Sequence, residues 1–456
     1  IGASGDTVTL ASGASQSGFG RTGTVNWDTT AKTASFTAVS GNGYFVNTTS
    51  GAVTVTMPAS PSAGDIVGIK DYAGTFATNN VTVGRNGSNF DGDAADPTLS
   101  TNQLSVFFVY VDGTQGWKTT QNDSGSYGAE YIVATGGTIT TCGNFKIHTF
   151  TSPGTFTVSC VGNPAGSNTV DYLVIGGGAA GANKTAPNAS GEAGGGGGAG
   201  GYRESSGAAS GCYTVSPLGA CVSALPVSAT GYPITVGGGG SSSAFCGSTA
   251  PSRNGSNSVF STITSAGGGG AGARSFTTPV DLALGANGGS GGGGAYHGPN
   301  GVSQPGGTGN VPPVSPPQGQ NGGARGPDVS PGGGHAGAGG GATAAGGQGG
   351  VANPEGPGGG RGGAGGAGAT SSINGTPTGR AGGGGGGGNS VDYPNGSGGS
   401  ATDGGGGGSS RPNSGVNGTT NTGGGGGGGS GGGSSPGPGA TGQGGSGIVI
   451  IRYKFQ

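Results

Sequence analysis

Charge is what this sequence has least of. Only 7% of its 456 residues are Asp, Glu, Lys or Arg and the formal net charge is -2, against about 25% charged residues in an ordinary globular chain. Conventional disorder is thereby excluded, because it relies on charge to keep the chain expanded. No basic run is present, so nucleic acid and anionic membrane surfaces are not expected as partners. Long apolar runs are missing too: no stretch approaches the roughly 18 residues of a spanning helix, and no charged-then-apolar leader opens the chain. No membrane insertion is expected, and the chain reads as soluble. It opens at Ile1 rather than Met, as a processed chain or the distal part of a longer one does.

Catalytic equipment is equally sparse. Glu occurs four times and His three times: His148 lies in the strand-like FKIHTF, His297 and His335 in glycine-rich loops. No H-E-x-x-H, G-x-S-x-G or paired carboxylates accompany them, so no enzyme and no cofactor are expected. Asp91, Asp93 and Asp96 in FDGDAADP lack the remaining ligands and closing Glu of a calcium loop, and read as a solvated turn with no metal. The five cysteines show no zinc spacing. Cys212 and Cys221 flank the turn in CYTVSPLGAC symmetrically, a spacing that a hairpin and disulfide can bridge. Cys142 and Cys160 flank a second hairpin turning at Ser152-Pro153-Gly154 with poorer symmetry. Small half-buried thiols are the alternative for both pairs.

Glycine is what the chain has instead, at 123 residues, of which 25 precede position 176 and 98 lie from 176 onward. Residues 1–25 are a Ser/Thr/Gly-rich, fibre-like β segment too small-sided to bury a core alone. Residues 26–125 carry repeated strand signals such as AVTVTM, NVTVG and LSVFFVYV, bounded by Gly, Pro, Asn or Asp, and form a small all-β domain. A further β segment, 126–175, leads into a glycine-rich domain, 176–456, whose apolar closing strand is 448–454.

DYLVIGGGAAG at 171–181 contains G-x-G-x-x-G after a strand, the spacing of a dinucleotide loop. The residues after it cannot open the helix that would hold a pyrophosphate: a Pro and a glycine run follow, each Gly costing about 1 kcal/mol in a helix. Glu204, at a tolerable distance for a ribose contact, stands in GGYRESSG with no strand before it. The glycine runs have two remaining readings. A flexible linker is one. The other is the extended left-handed helix with three residues per turn, which without side chains can pack and hydrogen-bond laterally. The strand-to-glycine junctions YLVIGGG, YPITVGGGG and STITSAGGGG, together with the closing GSGIVIIRYKF, favour the second. The fold expected is therefore all-β N-terminal domains followed by a polyglycine II helix bundle bracketed by β-strands, with essentially no α-helix.

Those junctions and the closing GGSGIVIIRY resemble the glycine-rich domains at the C-termini of bacteriophage tail fibres. The segment FTAVSGNGYFVNTTSGAVTVTMPASPSAGDIVGIKDYAGTFATNNVTVGRNGSNFDG is similar to a domain that recurs in tail fibres, particularly of marine phages. The resemblance covers about residues 25–454. It implies a non-enzymatic virion adhesin, attached to other tail proteins, that recognises a protein or glycan receptor on a bacterial surface through loops on a polyglycine II scaffold. In the tail-tip adhesins with this architecture the glycine domain is a separate subunit, whereas here it continues from β domains in one chain. A purely structural fibre or extracellular filament subunit, and an ice-binding protein, are the alternatives. The opening segment points to a homotrimer through residues 1 to about 125. If consecutive runs alternate in direction, the inserts between them emerge at alternating ends. Exposed aromatics in such inserts are economical contact residues, which singles out Phe245, Phe276, Tyr296, His297 and Tyr393, and the inserts 271–287, 295–331 and 389–403.

Overall fold

The computed structural model describes residues 25–123, 131–162, 166–182, 193–211, 213–219, 222–242, 253–273, 283–296, 304–327, 335–350, 360–388, 396–410, 414–430 and 441–456. The chain divides into two compact units, 1–127 and 128–456. Both are all-β. Among the described residues helical geometry is confined to a 3-10 turn at Pro217–Gly219 and the single 3-10 residue Arg253.

The first unit winds between two sheets. Its strands are β1 (Asn26–Lys32), β2 (Phe36–Thr37), β3 (Asn42–Val46), β4 (Val53–Thr56), β5 (Ile66–Asp71), β6 (Val81–Gly84), β7 (Thr98–Leu99), β8 (Ser105–Asp112) and β9 (Gly116–Asp123). One sheet runs β1-β3-β5-β8-β9, the other β2-β4-β6-β7. The odd strands β1, β3 and β5 pair in parallel, as do the even strands β2, β4 and β6. Parallel neighbours need a crossover, and here the strand of the opposite sheet provides it. In β4 (VTVT) and β6 (VTVG) each Val is buried and each partner half-exposed, the period-two signature of a sheet with one face inward. Val46, Val55, Met57, Val67, Ile69, Phe76 and Trp117 fill the space between the sheets and are fully buried. Each such side chain contributes about 1.5–3 kcal/mol, so a single chain buries its own core here. The opening residues 1–24, on which the trimer expectation rests, lie outside the described residues.

The second unit begins with β10 (Val133–Thr135), β11 (Thr138–Cys142), β12 (Phe145–Phe150), β13 (Gly154–Cys160) and β14 (Thr169–Ile175). It continues with β15 (Tyr202–Glu204), β16 (Leu225–Pro226), β17 (Gly231–Thr235), β18 (Ser258–Phe260), β19 (Ile263–Ser265), β20 (Ala369–Ser371), β21 (Thr378–Arg380) and β22 (Ile448–Lys454). One sheet is β10-β13-β17-β18-β19, and a second is β11-β12-β22-β14-β15 with β16 beside β14. The closing strand therefore lies between β12 and β14, antiparallel to both. Val449, Ile451 and Tyr453 join Val170, Tyr172, Val174, Phe156 and Phe260 in one core. Ile448 and Ile450 join Ile147, Leu173, Ile175 and Ala199 in another. Burial on both faces is why DYLVI and IVIIRY read as unbroken apolar runs rather than alternating ones.

Two hairpin expectations are corrected. The turn at Ser152-Pro153-Gly154 does not join paired strands: β12 pairs with β11 and β22, β13 with β10 and β17. The chain changes sheets there, which separates Cys142 from Cys160, and both thiols are free and exposed. The tight hairpin lies earlier, where Cys142 pairs with Phe145 across Gly143-Asn144 and Gly143 takes φ 57. Between Cys212 and Cys221, residues 213–219 form a bend and the 3-10 turn rather than a β-hairpin. Cys212 and Cys221 themselves, with Cys246, lie outside the described residues.

Beyond β14 the backbone keeps an extended course but leaves the sheet. Gly176 donates to Gly201 O (3.1 Å), Gly177 to Ser256 O (2.9 Å) and Gly178 to Gly445 O (2.8 Å). Three residues on, Ala179 donates to Gly198 O (2.9 Å), Ala180 to Arg253 O (2.8 Å) and Gly181 to Gly442 O (3.0 Å). Successive N–H groups thus face three different neighbours and residues three apart face the same one, which is the screw of a three-residue-per-turn helix. Apart from Gly404 and Gly423, each the first residue of its segment, the glycines of the bundle avoid the positive φ that the mirror-image helix would need, so the hand is left, as in polyglycine II. Segment 176–182 also accepts from three further neighbours, through Gly240, through Gly268 and Ala271, and through Gly426 and Gly429. Segment 193–201 is likewise surrounded, donating to 266–273, 335–341 and 423–430 and accepting from 176–182, 290–296 and 381–388. The array is hexagonal.

Partner numbers that fall by three along a pair mark antiparallel neighbours, and those that rise by three mark parallel ones. By that criterion 176–182, 236–242, 266–273, 290–296, 318–327, 346–350, 381–388, 404–410 and 423–430 run away from the β14 end. The segments 193–201, 253–257, 283–288, 304–309, 335–341, 360–368, 396–402, 414–418 and 441–447 return. Direction alternates strictly along the chain. At the strand end the described turns use Asn310 (φ 56), Asp403 (φ 51) and Asn421 (φ 62), residue types that tolerate the left-handed region and bond their own loops. Asn310 Oδ1 accepts from the amides of Val314 (3.1 Å) and Gln318 (3.2 Å), and Asp403 Oδ2 accepts from the amide of Gly368 (2.9 Å).

Close approach dictates glycine, though not everywhere. A Cβ on Gly197 would lie inside contact distance of the Ala179 carbonyl, where only backbone surrounds it, whereas at Gly238 nothing lies within 4 Å. Ala179, Ala180, Ala199 and Ala295 are fully buried, so a methyl fits at chosen lattice points. Gly197→Ala is expected to destabilise the second unit by about 1–3 kcal/mol through overpacking. Gly238→Ala should be neutral or stabilising by about 0.4–1 kcal/mol through the unfolded chain. Urea unfolding midpoints of the two variants check this, and equal midpoints would show that the lattice gives way to a methyl.

Candidate functional site

Strict alternation puts one set of chain ends together. Residues 182 and 193, 242 and 253, 273 and 283, 296 and 304, 327 and 335, 350 and 360, 388 and 396, 410 and 414, and 430 and 441 all lie at the end of the bundle away from β14. Lateral bonds hold these ends in register: Ala182 donates to Gly195 O (3.0 Å), Gly326 to His335 O (3.0 Å), Gly350 to Arg361 O (2.9 Å) and Gly388 to Ser409 O (3.0 Å). The expected alternation of connections is therefore present in the described residues. Its consequence for the inserts differs from the boundaries read in the sequence. Residues 283–288, 304–309, 318–327 and 396–402 belong to bundle segments rather than loops, so the stretches 271–287, 295–331 and 389–403 each combine loop and scaffold.

Of the singled-out aromatics, Tyr296 is the one the structure describes; Phe245, Phe276, His297 and Tyr393 lie outside the described residues. The described residues flanking each of them are at the far end. Tyr296 is half-buried, with the Arg325 guanidinium 4.4 Å from its ring centroid, a cation-π contact. Arg325 is fully buried, its amide donating to Gln304 O (3.0 Å) and its carbonyl accepting from Gln348 Nε2 (3.3 Å). The buried His335 ring occupies the space a Cβ on Gly360 would need. Four segments thus contribute side chains to one edge of that end face.

The other residues marked in the sequence take structural places. His148 is buried, with Nδ1 2.7 Å from Gly136 O and Nε2 3.1 Å from the Tyr453 hydroxyl, stacked on Tyr453 and edge-on to Phe156. Asp91 pairs with Lys118 at 3.0 Å and Asp96 accepts from the amide of Arg85 at 2.9 Å. No group that could hold a metal is found among the described residues. Glu204, read as lacking a strand, sits in β15 against β14. Three residues suffice because their partner strand is already fixed. Its buried carboxylate accepts from the Tyr202 hydroxyl (3.1 Å), the Ser216 amide (3.0 Å) and the Ser371 hydroxyl. Gly176, Gly178 and Gly181, the dinucleotide-like glycines, are lattice points whose amides are bonded to other segments. No described helix is long and apolar enough to cross a membrane.

Residues 150–401, more than half of the chain, match a family described as Glycine-rich domain. No curated protein matches the chain.

Two buried groups shape the pH response of this unit below the alkaline range. Burial lowers the His148 pKa from its ordinary value, outweighing the bond to Gly136, with Lys146 adding to the fall. The unfolded chain then takes up the proton first, so His148 supports stability above about pH 6.5 and that support is lost as pH falls toward its folded pKa. Burial raises the Glu204 pKa against the bonds from Ser216, Ser371 and Tyr202. Its contribution is complete below about pH 4.3 and is lost as pH rises through the folded value. Denaturation midpoints measured across pH should show a shallower acid-side fall for His148→Gln and a shallower fall in the opposite direction for Glu204→Gln. Unaltered profiles would mean that neither group titrates on unfolding.

Proposed function

The chain belongs to the glycine-rich domain family, and on that premise we propose that it is a non-enzymatic virion adhesin, the distal part of a bacteriophage tail fibre. In this reading the far end of the bundle faces a protein or glycan receptor on the bacterial surface. The observation that carries it is the gathering of nine pairs of insert boundaries, from 182 and 193 to 430 and 441, at the end of the array opposite the sheets. A scaffold that spends all its lateral backbone groups internally leaves that end as the place where sequence varies at no cost to the lattice. Preorganised ends also lower the entropy lost on binding. The first unit supplies the fibre-like base that attaches to other tail proteins, associated as a homotrimer. A purely structural fibre subunit would share the same scaffold and the same gathered ends, and differs in binding no receptor through them.

Exchanging 183–192, 274–282, 297–303 and 389–395 for the equivalent stretches of a related fibre, with every bundle segment kept, is expected to redirect host range while preserving the unfolding midpoint. Purified protein should bind susceptible cells and not resistant ones. Light scattering should return the mass of three chains. Unchanged host range after all four exchanges would leave the structural reading in place.

A further inference from the structure

The strand end of the second unit holds a cavity unrelated to the insert boundaries. It measures about 280 Å³ and is lined by Cys142, Tyr213, Thr214, Ser372, Gly375 and Arg452. Its roof is made of two irregular stretches, 213–214 and the loop between β20 and β21, tied by the Ser372 amide donating to Thr214 O at 2.9 Å. Its floor is the central strand β22. Arg452 stands there between cross-strand neighbours Ile147 and Asp171.

Arg452 is 1% exposed. Its guanidinium lies 4.6 Å from the Phe145 ring centroid and 5.1 Å from that of Tyr213, and Nη1 donates to Ile373 O at 3.3 Å. Nε is buried with no hydrogen-bond partner. The ion pairs of the described residues, Lys32–Asp28 and Lys118–Asp91, do not involve it. Its cross-strand partner Asp171 makes its hydrogen bonds elsewhere: its oxygens accept from Ser205 Oγ (2.7 Å), the Ser210 amide (2.7 Å) and Ser210 Oγ (2.6 Å). A buried guanidinium held by two ring faces and one long carbonyl bond is short of acceptors, and such a deficit costs free energy until an acceptor arrives.

We propose that this cavity binds an acidic monosaccharide, a hexuronic acid unit, with its carboxylate on Arg452. A planar carboxylate matches the guanidinium fork. The single cation of the lining, opposite the buried Asp171, suits a monoanion and disfavours a dianionic phosphate. The hydroxyls of Thr214 and Ser372 and the ring of Tyr213 offer the mixed polar and aromatic wall that a sugar requires. The volume is close to the lower bound of small-ligand sites, about 300 Å³, and admits one sugar ring. This site is independent of the proposed adhesion through the far end.

Cys142, a free exposed thiol of the same lining, reports occupancy, and Cys160, equally free and exposed on another sheet, is the internal control. The full chain is alkylated with iodoacetamide and each cysteine peptide followed by mass spectrometry. Methyl glucuronide at millimolar concentration is expected to slow alkylation of Cys142 several-fold and leave Cys160 unchanged. Methyl glucoside and a sugar phosphate should not protect, and acetate should protect weakly. Arg452→Met should abolish protection, and Thr214→Val, which keeps the buried cation, should weaken it in a chain with an unchanged unfolding midpoint. Equal rates with and without the glucuronide in the unaltered protein would overturn the proposal. Equal protection by acetate would overturn the sugar assignment, and equal protection by the glucoside would overturn the role of Arg452.

Discussion

A backbone buried without side chains must satisfy its own polar groups, and that requirement organises the entire glycine region. A β-strand directs its amides to two neighbours and builds a sheet. A three-residue helix directs them to three and accepts from three more, as 176–182 and 193–201 do, so its array grows in two dimensions. Each lateral bond contributes only about 1 kcal/mol net, while glycine loses more conformational freedom than any other residue. The balance turns favourable where a segment is surrounded, which makes the array cooperative in cross-section. One glycine run alone is a linker. Many side by side are a domain.

The array has almost no hydrophobic core of its own, and the sheets supply one. Every residue of β22 from Ile448 to Tyr453 is buried, and its two faces enter separate apolar clusters. Pairing β22 with β14 places the first and last glycine segments beside one another, and Gly178 donates to Gly445 O at 2.8 Å as a result. Start, finish and register of the bundle are thereby fixed at one end. Polar side chains complete the joint: Ser258 Oγ donates to Ile175 O at 2.7 Å and accepts from the Gly237 amide at 2.9 Å. The other end carries no sheet, and its described boundaries are held by the lattice and by a few side chains such as Tyr296, Arg325 and Gln348.

Legibility in the sequence followed the range of the interactions. The junctions after Ile175, Thr235 and Ser265 and the closing strand from Ile448 to Lys454 were readable because a composition change marks each one locally. The SPG turn misled because Pro and Gly announce a turn without saying whether the next strand returns to the same sheet. Segments such as 304–309 and 396–402 were hidden because a return path needs few glycines where it borders solvent, as at the exposed Pro305 and Thr308 and the half-buried Ala401. Arg452 stood in plain view in IVIIRYK, but a lone Arg in an apolar strand says nothing about the loop that roofs it. Asn310, Asp403 and Asn421 were the one signal of the strand-end turns that the residue types did carry.

By itself the sequence determined what could not form and what had to. So much glycine with so little charge forbids an α-helical or conventionally packed domain, and β-branched runs between turn residues require sheets. It also determined that the glycine runs alternate with inserts along the chain. Which neighbour each run bonds, which inserts share an end, and that Arg452 meets a cavity roofed by residues near 214 and 375 were decided only by the tertiary structure. Glycine amides are identical to one another, so no local property distinguishes one lattice partner from the next; the choice is made by where β14, β17, β19, β21 and β22 anchor the segments that follow or precede them.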